Sequence, residues 1–286
     1  MKHVVLLYYK YVHLADPEAE RLAQRALCER LGLKGRILLG AEGINGTVAG
    51  TREATDEYRA AMAAHPAFAD IEYKVDQYDA NPFPRLRIKV RPEIVSLGVD
   101  VDLKNTAKHV SPAEFNELLK DPDVILFDAR NNYESAIGKF KGAITPDINL
   151  FKDLPEALKQ YEDLKTKKIV TYCTGGIRCE KASAYMKEQG FQDVSQLDGG
   201  IIKYAQAYPD AAWEGECFVF DDRMSVGFKD QPEQLGQCIH CAQPTNTYRN
   251  CNLKTCNKLV LVCTEHNGDV VTCGAVCSDQ LAAVTV

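Results

Sequence analysis

The residues best equipped for chemistry lie in Thr171-Tyr172-Cys173-Thr174-Gly175-Gly176-Ile177-Arg178-Cys179. The stretch follows an apolar run and opens a helical pattern. Cys173 starts a loop, Arg178 closes it, and Gly175 and Gly176 let the backbone between them curl. Thr174, Gly175, Gly176 and Ile177 thus form a cradle whose N–H groups converge on one point. The positive end of the following helix adds to the effect. Such a cradle favours a thiolate, which is the reactive form of cysteine. Arg178 is placed to hold the loop or to bind an incoming anion. Cys179 has two readings: a small buried helix residue, or a partner thiol that resolves an oxidised or persulfidic Cys173 as a disulfide.

A second cluster fills the C-terminal part. Of eleven cysteines, eight lie after residue 216. Cys238, Cys241, Cys251, Cys256, Cys263, His266, Cys273 and Cys277 supply ligands for two tetrahedral structural zinc sites. One division is Cys238, Cys241, Cys263 and His266 against Cys251, Cys256, Cys273 and Cys277, with His240 as a competitor. Disulfides or unpaired thiols are the alternatives. A third candidate is Arg85-Leu86-Arg87-Ile88-Lys89-Val90-Arg91, whose alternation puts four cations on one face of an extended segment. It reads as a solvated edge strand or as a phosphate-binding strip.

The elements that must hold these groups follow from the hydrophobic pattern. Strands are expected at 3–9, 36–39, from 47 and at 71–75, with Asn45-Gly46 as a tight turn. Helices are expected from Pro17, capped by Asp16 with Ala19, Leu22, Ala23, Ala26 and Leu27 buried, and from about Glu53 to Ala64. The order βαββαβ is that of a ferredoxin-like α+β domain, residues 1–79. A connector covers 80–103. Residues 104–210 alternate strands and helices, as in a doubly wound α/β domain with a parallel sheet. Its ligand site belongs at the carboxyl ends of the strands, where Asp128 and Cys173 fall. Residues 211–286 form a strap, including Trp213 and Phe218-Val219-Phe220, and the cysteine-rich segment.

Composition limits the function. The 45% hydrophobic and 26% charged residues suit a soluble globular protein. The apolar run from Val4 to Tyr9 is too short for a signal peptide, and no stretch nears the ~20 apolar residues of a membrane helix. A cytoplasmic protein is expected. A net charge of −6 restricts nucleic-acid binding to a local basic patch. No flavin, nicotinamide or facial-triad iron motif is readable.

The six-residue loop from Cys173 to Arg178 is shorter than that of cysteine phosphatases. It resembles the active loop of rhodanese sulfurtransferases, as do Asp128-Ala129-Arg130 with Glu134, Gly142-Ala143 and Leu197-Asp198-Gly199-Gly200. Cys173 to Ser183 is further similar to the signature of the bacterial tRNA uridine(34) hydroxylase family. So are Arg36 to Val48, Arg91 to Gly98 and Phe218 to Arg223. That resemblance spans nearly the whole chain. It implies hydroxylation of wobble uridine to 5-hydroxyuridine with molecular oxygen, Cys173 and Cys179 essential, and tRNA, through its anticodon region, as partner. Arg85, Arg87, Lys89 and Arg91 become tRNA contacts. The residues taken alone point instead to a thiosulfate-type sulfurtransferase carrying a persulfide on Cys173, which stands as the alternative. Oligomeric state and electron source are left open.

Overall fold

The computed structural model describes residues 2–209, 212–256 and 258–284; the boundary expected at 210/211 lies outside them. The first unit runs β1 (His3–Tyr11), α1 (Pro17–Arg30), β2 (Lys34–Gly40), β3 (Gly43–Gly50), α2 (Arg52–Ala63), β4 (Tyr73–Tyr78) and β5 (Leu86–Val90). The sheet order is β4-β1-β3-β2-β5. The first four strands are antiparallel, and β5 joins β2 in parallel. The segment expected as a connector therefore adds a fifth strand to the sheet's edge, because Ile88 is buried in the same core as Ile37.

One face of this sheet packs on its helices. Leu6, Tyr8, Ile37, Leu39, Ile44 and Val48 alternate into that core with Tyr58 and Met62 of α2. Asp16 caps α1, as its sequence requires. The buried face of α1 differs from expectation: Gln24 and Cys28 are inside, while Leu22 is 55% exposed. Gln24 is tolerated there because it accepts from the Tyr58 hydroxyl at 2.8 Å and donates to Met62 Sδ at 3.1 Å. Asn45-Gly46 is not a turn but lies within β3, opposite Leu38 and Ile37. A side chain at Gly46 would strike the ring of Tyr8, 2.4 Å from the Cβ position. The fourth strand starts at Tyr73, not at residue 71.

The second unit contains β6 (Lys108–Val110), α3 (Pro112–Leu118), β7 (Val124–Asp128), α4 (Asn132–Ser135), β8 (Gly138–Phe140), α5 (Leu154–Ala157), β9 (Lys168–Tyr172), α6 (Ile177–Glu188), β10 (Asp193–Leu197) and α7 (Gly200–Ala207). Its parallel sheet has the order β6-β10-β9-β7. Both faces are covered. Phe127 and Ile169 point to α5 and α6, with Leu154 and Met186. Leu126, Val170 and Tyr172 point to α3 and α7, with Phe115 and Tyr204. This is the doubly wound arrangement read from the sequence.

Beyond it come β11 (Trp213–Gly215), β12 (Cys217–Phe218), β13 (Ser225–Val226), β14 (Tyr248–Asn250), β15 (Leu259–Leu261) and α8 (Ala275–Val284). β11 pairs with β8, which straps this segment to the second unit. The tail's own apolar core is small: Val260, Val262 and Val271 with Cys238 and Cys263. Among the described residues, no helix is long and apolar enough to cross a membrane.

Candidate active site at the Cys173 loop

Cys173 follows β9 and is fully buried. Helix α6 has no side-chain cap; instead the Gly176 N–H donates to Cys173 Sγ at 3.2 Å. The sulfur thus does the work of an N-cap acceptor. Gly176 has φ +100°, and a side chain there would meet the Tyr9 hydroxyl 2.9 Å from its Cβ position. Gly200, at φ +65°, is needed for close approach: a Cβ would sit 2.4 Å from the Cys173 carbonyl oxygen. The contact lets the first N–H groups of α7, those of Ile201 and Ile202, donate to the carbonyls of Cys173 and Thr174 at 2.9 and 3.1 Å. The closing Gly-Gly pair therefore fastens the loop from behind.

Burial alone would raise the Cys173 thiol. Hydrogen bonding from Cys179, the Arg178 charge and the N–H groups of Arg178 and Gly176 outweigh it and bring it down to about 5. Burial and the neighbouring Cys173 sulfur push Cys179 well above an ordinary thiol. Cys179 also accepts from Thr171 Oγ1 at 3.8 Å. The two sulfurs are thus driven apart, Cys173 favoured as a thiolate and Cys179 as a thiol.

Arg178 is not free to clamp an anion. Glu134 of α4 holds its guanidinium with both carboxylate oxygens, one at 2.8 Å, and Thr174 Oγ1 accepts from it at 3.3 Å. Arg178 is 6% exposed and Glu134 fully buried. Asp128 and Arg130 form a second such pair, both fully buried. Arg130 Nη2 donates to Asp128 Oδ2 and to the Gly138 carbonyl, both at 2.6 Å, and Trp213 covers the guanidinium at 5.2 Å. Burial works against the Arg130 charge, and the Asp128 carboxylate more than restores it. Sequence placed Asp128 and Arg130 among the catalytic residues. Among the described residues neither hydrogen-bonds to Cys173, so they position the strand end that carries the loop.

The first unit closes the site. Tyr9 donates to Glu180 Oε1 at 2.9 Å, and Tyr11 to the Ile177 carbonyl at 3.3 Å. Lys181 of α6, 4% exposed at its side chain, bridges Glu42 at 2.9 Å and Glu93 at 2.7 Å. Between the loop and the open face of the sheet lies a cleft of about 490 Å³. Cys173, Thr174 and Arg178 line one side, Tyr9, Leu38 and Asn45 the other, and Phe220 of the strap stands at the edge. The same sheet face continues from Leu38 and Arg36 to Arg87, Lys89 and Arg91, which line an adjoining hollow. Arg85 borders the strap beside Arg36. All five cations are exposed, and none makes a side-chain hydrogen bond or ion pair among the described residues.

In the tail, Cys238, Cys241, Cys263 and His266 form one group and Cys251, Cys256, Cys273 and Cys277 another, the ligand atoms of each within 4.8 Å of one another. Cys241 and Cys263 sulfurs are 3.7 Å apart, Cys256 and Cys273 3.5 Å, and Cys273 and Cys277 3.5 Å. Zinc–sulfur bonds of about 2.3 Å set tetrahedral sulfurs about 3.8 Å apart. Both groups could hold a metal ion, and His240 belongs to neither.

Sequence reading missed Tyr9, Leu38, Asn45, Asn131 and Phe220 as cleft residues. The sequence placed Tyr9 and Leu38 on strands, but not what their faces would meet.

A family model described as UPF0176 acylphosphatase-like domain matches residues 3–94, a rhodanese-like domain residues 111–207 and a rhodanase C-terminal model residues 214–280. The chain is 44% identical over 283 residues to the tRNA uridine(34) hydroxylase of Corynebacterium urealyticum, covering 94% of this chain and 95% of that one. The protein of the same name from Bacillus pumilus is 44% identical over 269 residues, 91% of this chain and 83% of its own. That from Corynebacterium jeikeium is 43% identical over 296 residues, 99% and 96%.

Proposed function

Because the chain belongs to the tRNA uridine(34) hydroxylase family, we propose that it hydroxylates uridine 34 of tRNA at C5, using molecular oxygen. The observation that carries this reading is one continuous surface: a thiolate-stabilising cradle opens into a cleft whose far wall runs into five unpaired cations. A sulfurtransferase acting on small molecules has no use for that face, whereas an RNA backbone does. Arg36, Arg85, Arg87, Lys89 and Arg91 hold phosphates of the anticodon loop, and the splayed base enters the cleft between Tyr9 and Phe220.

The chemistry needs two electrons and two protons besides oxygen. The Cys173 thiolate and the Cys179 thiol supply both electrons and one proton on closing to a disulfide, and the second proton comes from solvent. One oxygen atom replaces hydrogen at C5 as hydroxyl. The other leaves as water, taking two protons, while the two thiols close to a disulfide. An external thiol reopens that disulfide by exchange. The N–H groups of Gly176 and Arg178 keep the sulfur anionic, and the Arg178 side chain, held by Glu134, fixes the cradle. Asp128 and Arg130 hold the carboxyl ends of β7 and β9 in place. A tRNA substrate supports a cytoplasmic protein.

Expression of the chain in a strain lacking its own wobble-uridine hydroxylation should restore 5-hydroxyuridine at position 34, and Cys173→Ala should not. Equal restoration by both would overturn the reading. The two tail clusters are assigned to structural zinc, for which three thiolates with one imidazole, and four thiolates, are suitable donors. With so small an apolar core, metal contributes folding free energy there. Elemental analysis should find about two zinc ions per chain; a folded chain free of metal would contradict the assignment.

A further inference from the structure

The open face of the N-terminal sheet serves three hollows in order across its strands. β5 and β2 carry the basic hollow, and β2 and β3 the Cys173 cleft. Over β1 and β4 lies a third, about 200 Å³, that hydroxylation of a nucleoside does not require. Val5 and Leu7 form its floor, Ile202 and Ala205 of α7 a wall, and Val226 and Phe228 of the strap its lid. It shares Leu7, Thr47, Thr174 and Phe220 with the Cys173 cleft.

Lys74 of β4 lines this cavity and is 7% exposed. Its ammonium lies 4.8 Å over the Tyr9 ring, and among the described residues it has no hydrogen-bond acceptor and no ion pair. The neighbouring cations are different. Arg223 is held by Asp221 at 2.7 Å and Asp76 at 2.6 Å, and Lys203 by Asp198. Burial pushes the Lys74 ammonium below the ordinary lysine value, against the pull of Glu72 and Asp198. The ammonium opens into the cavity with no protein acceptor, and an acceptor arriving with a ligand would pair it.

We propose that this cavity binds a small organic monocarboxylate, with the carboxylate on Lys74 and an apolar body against Leu7, Ile202 and Phe228. One free donor group suits one negative charge. Asp76, Asp221 and Arg223 line the same cavity but hold one another, which leaves Lys74 as its one lining cation without a carboxylate among the described residues. The walls are mainly apolar, so a bare inorganic anion would leave them unfilled. An apolar cavity of about 150 Å³ holds benzene, so a ring-sized body fits. The occupant rests on Thr174, the residue after Cys173, and thus touches the reactive loop without entering its cleft. The site does not depend on uridine being the substrate.

Calorimetric titration of the full chain with benzoate, benzamide and inorganic phosphate tests it. Benzoate should bind saturably at one site, and benzamide, which has the shape but not the charge, about tenfold or more weaker. Lys74→Met should lose about tenfold in benzoate affinity, and Lys74→Arg, which keeps the cation, should lose much less. Equal binding of benzoate and benzamide would overturn the proposal, and that comparison needs no variant. So would unchanged benzoate affinity in Lys74→Met, displacement of benzoate by phosphate on equal terms, or absence of any saturable heat.

Discussion

Two charged regions face each other across the cleft. Around Cys173 each arginine has a carboxylate of its own: Arg178 has Glu134, Arg130 has Asp128, and all four are nearly or fully buried. Across the cleft, Arg36, Arg85, Arg87, Lys89 and Arg91 have none and lie exposed. The difference is a matter of solvent. A guanidinium taken out of water must be neutralised within the fold, and removing its partner leaves an uncompensated buried charge. An exposed cation is hydrated, costs the fold little when unpaired, and stays available to a phosphate. Charge in the second unit therefore builds the loop, and on the proposed reading charge in the first recruits the substrate.

The largest effect should come from breaking a closed pair. Arg130→Met strands the Asp128 carboxylate and should destabilise the chain by about 3–5 kcal/mol in urea unfolding. A loss below about 1 kcal/mol would mean that the pair is not closed as described. On the open face the same class of change should do the reverse. Arg87→Ala, Lys89→Ala and Arg91→Ala together should lower the salt dependence of tRNA binding by about one log unit per lost phosphate contact, with the unfolding midpoint unmoved. If the triple variant unfolds more easily but binds tRNA as before, the two regions have been assigned the wrong roles.

A smaller effect sharpens what the closed pairs accomplish. The Cys173 thiol is lowered to about 5 from an ordinary value near 9, so the thiolate fraction rises as pH climbs through 5 and is nearly complete by neutrality. Alkylation of Cys173 by iodoacetamide, followed by peptide mass spectrometry, should have its midpoint near pH 5 and be flat between about 6 and 8. Arg178→Met removes an attractive charge and should move that midpoint upward. A wild-type midpoint at an ordinary thiol value would contradict the cradle.

How much of this could be read in advance depended on how local the cause was. The Cys173 loop and the Asp16 cap lie within a few residues, and each is where its residue types put it. The succession of strands and helices over residues 104–210 was enough to place the doubly wound unit with its two-sided core. Long-range contacts were not legible. Tyr9 meets Glu180 across 171 positions, and Asn45 is drawn into β3 rather than a turn, its amide donating to the Ile94 carbonyl. Gln24 is buried because Tyr58 and Met62 satisfy it, which no helical periodicity encodes. The pairing of β5 with β2 likewise joins residues 51 positions apart. The reactive groups were visible in the chain; the walls that turn them into a cleft were supplied by tertiary packing.

The central claim is that the buried thiol pair drives oxygen insertion into a base delivered by the open face. It is tested most directly by a single turnover of the reduced protein with tRNA and oxygen, without added reductant. Nucleoside analysis and peptide mapping of the same sample should give one 5-hydroxyuridine for each Cys173–Cys179 disulfide formed. Product appearing while both thiols remain reduced would contradict the account.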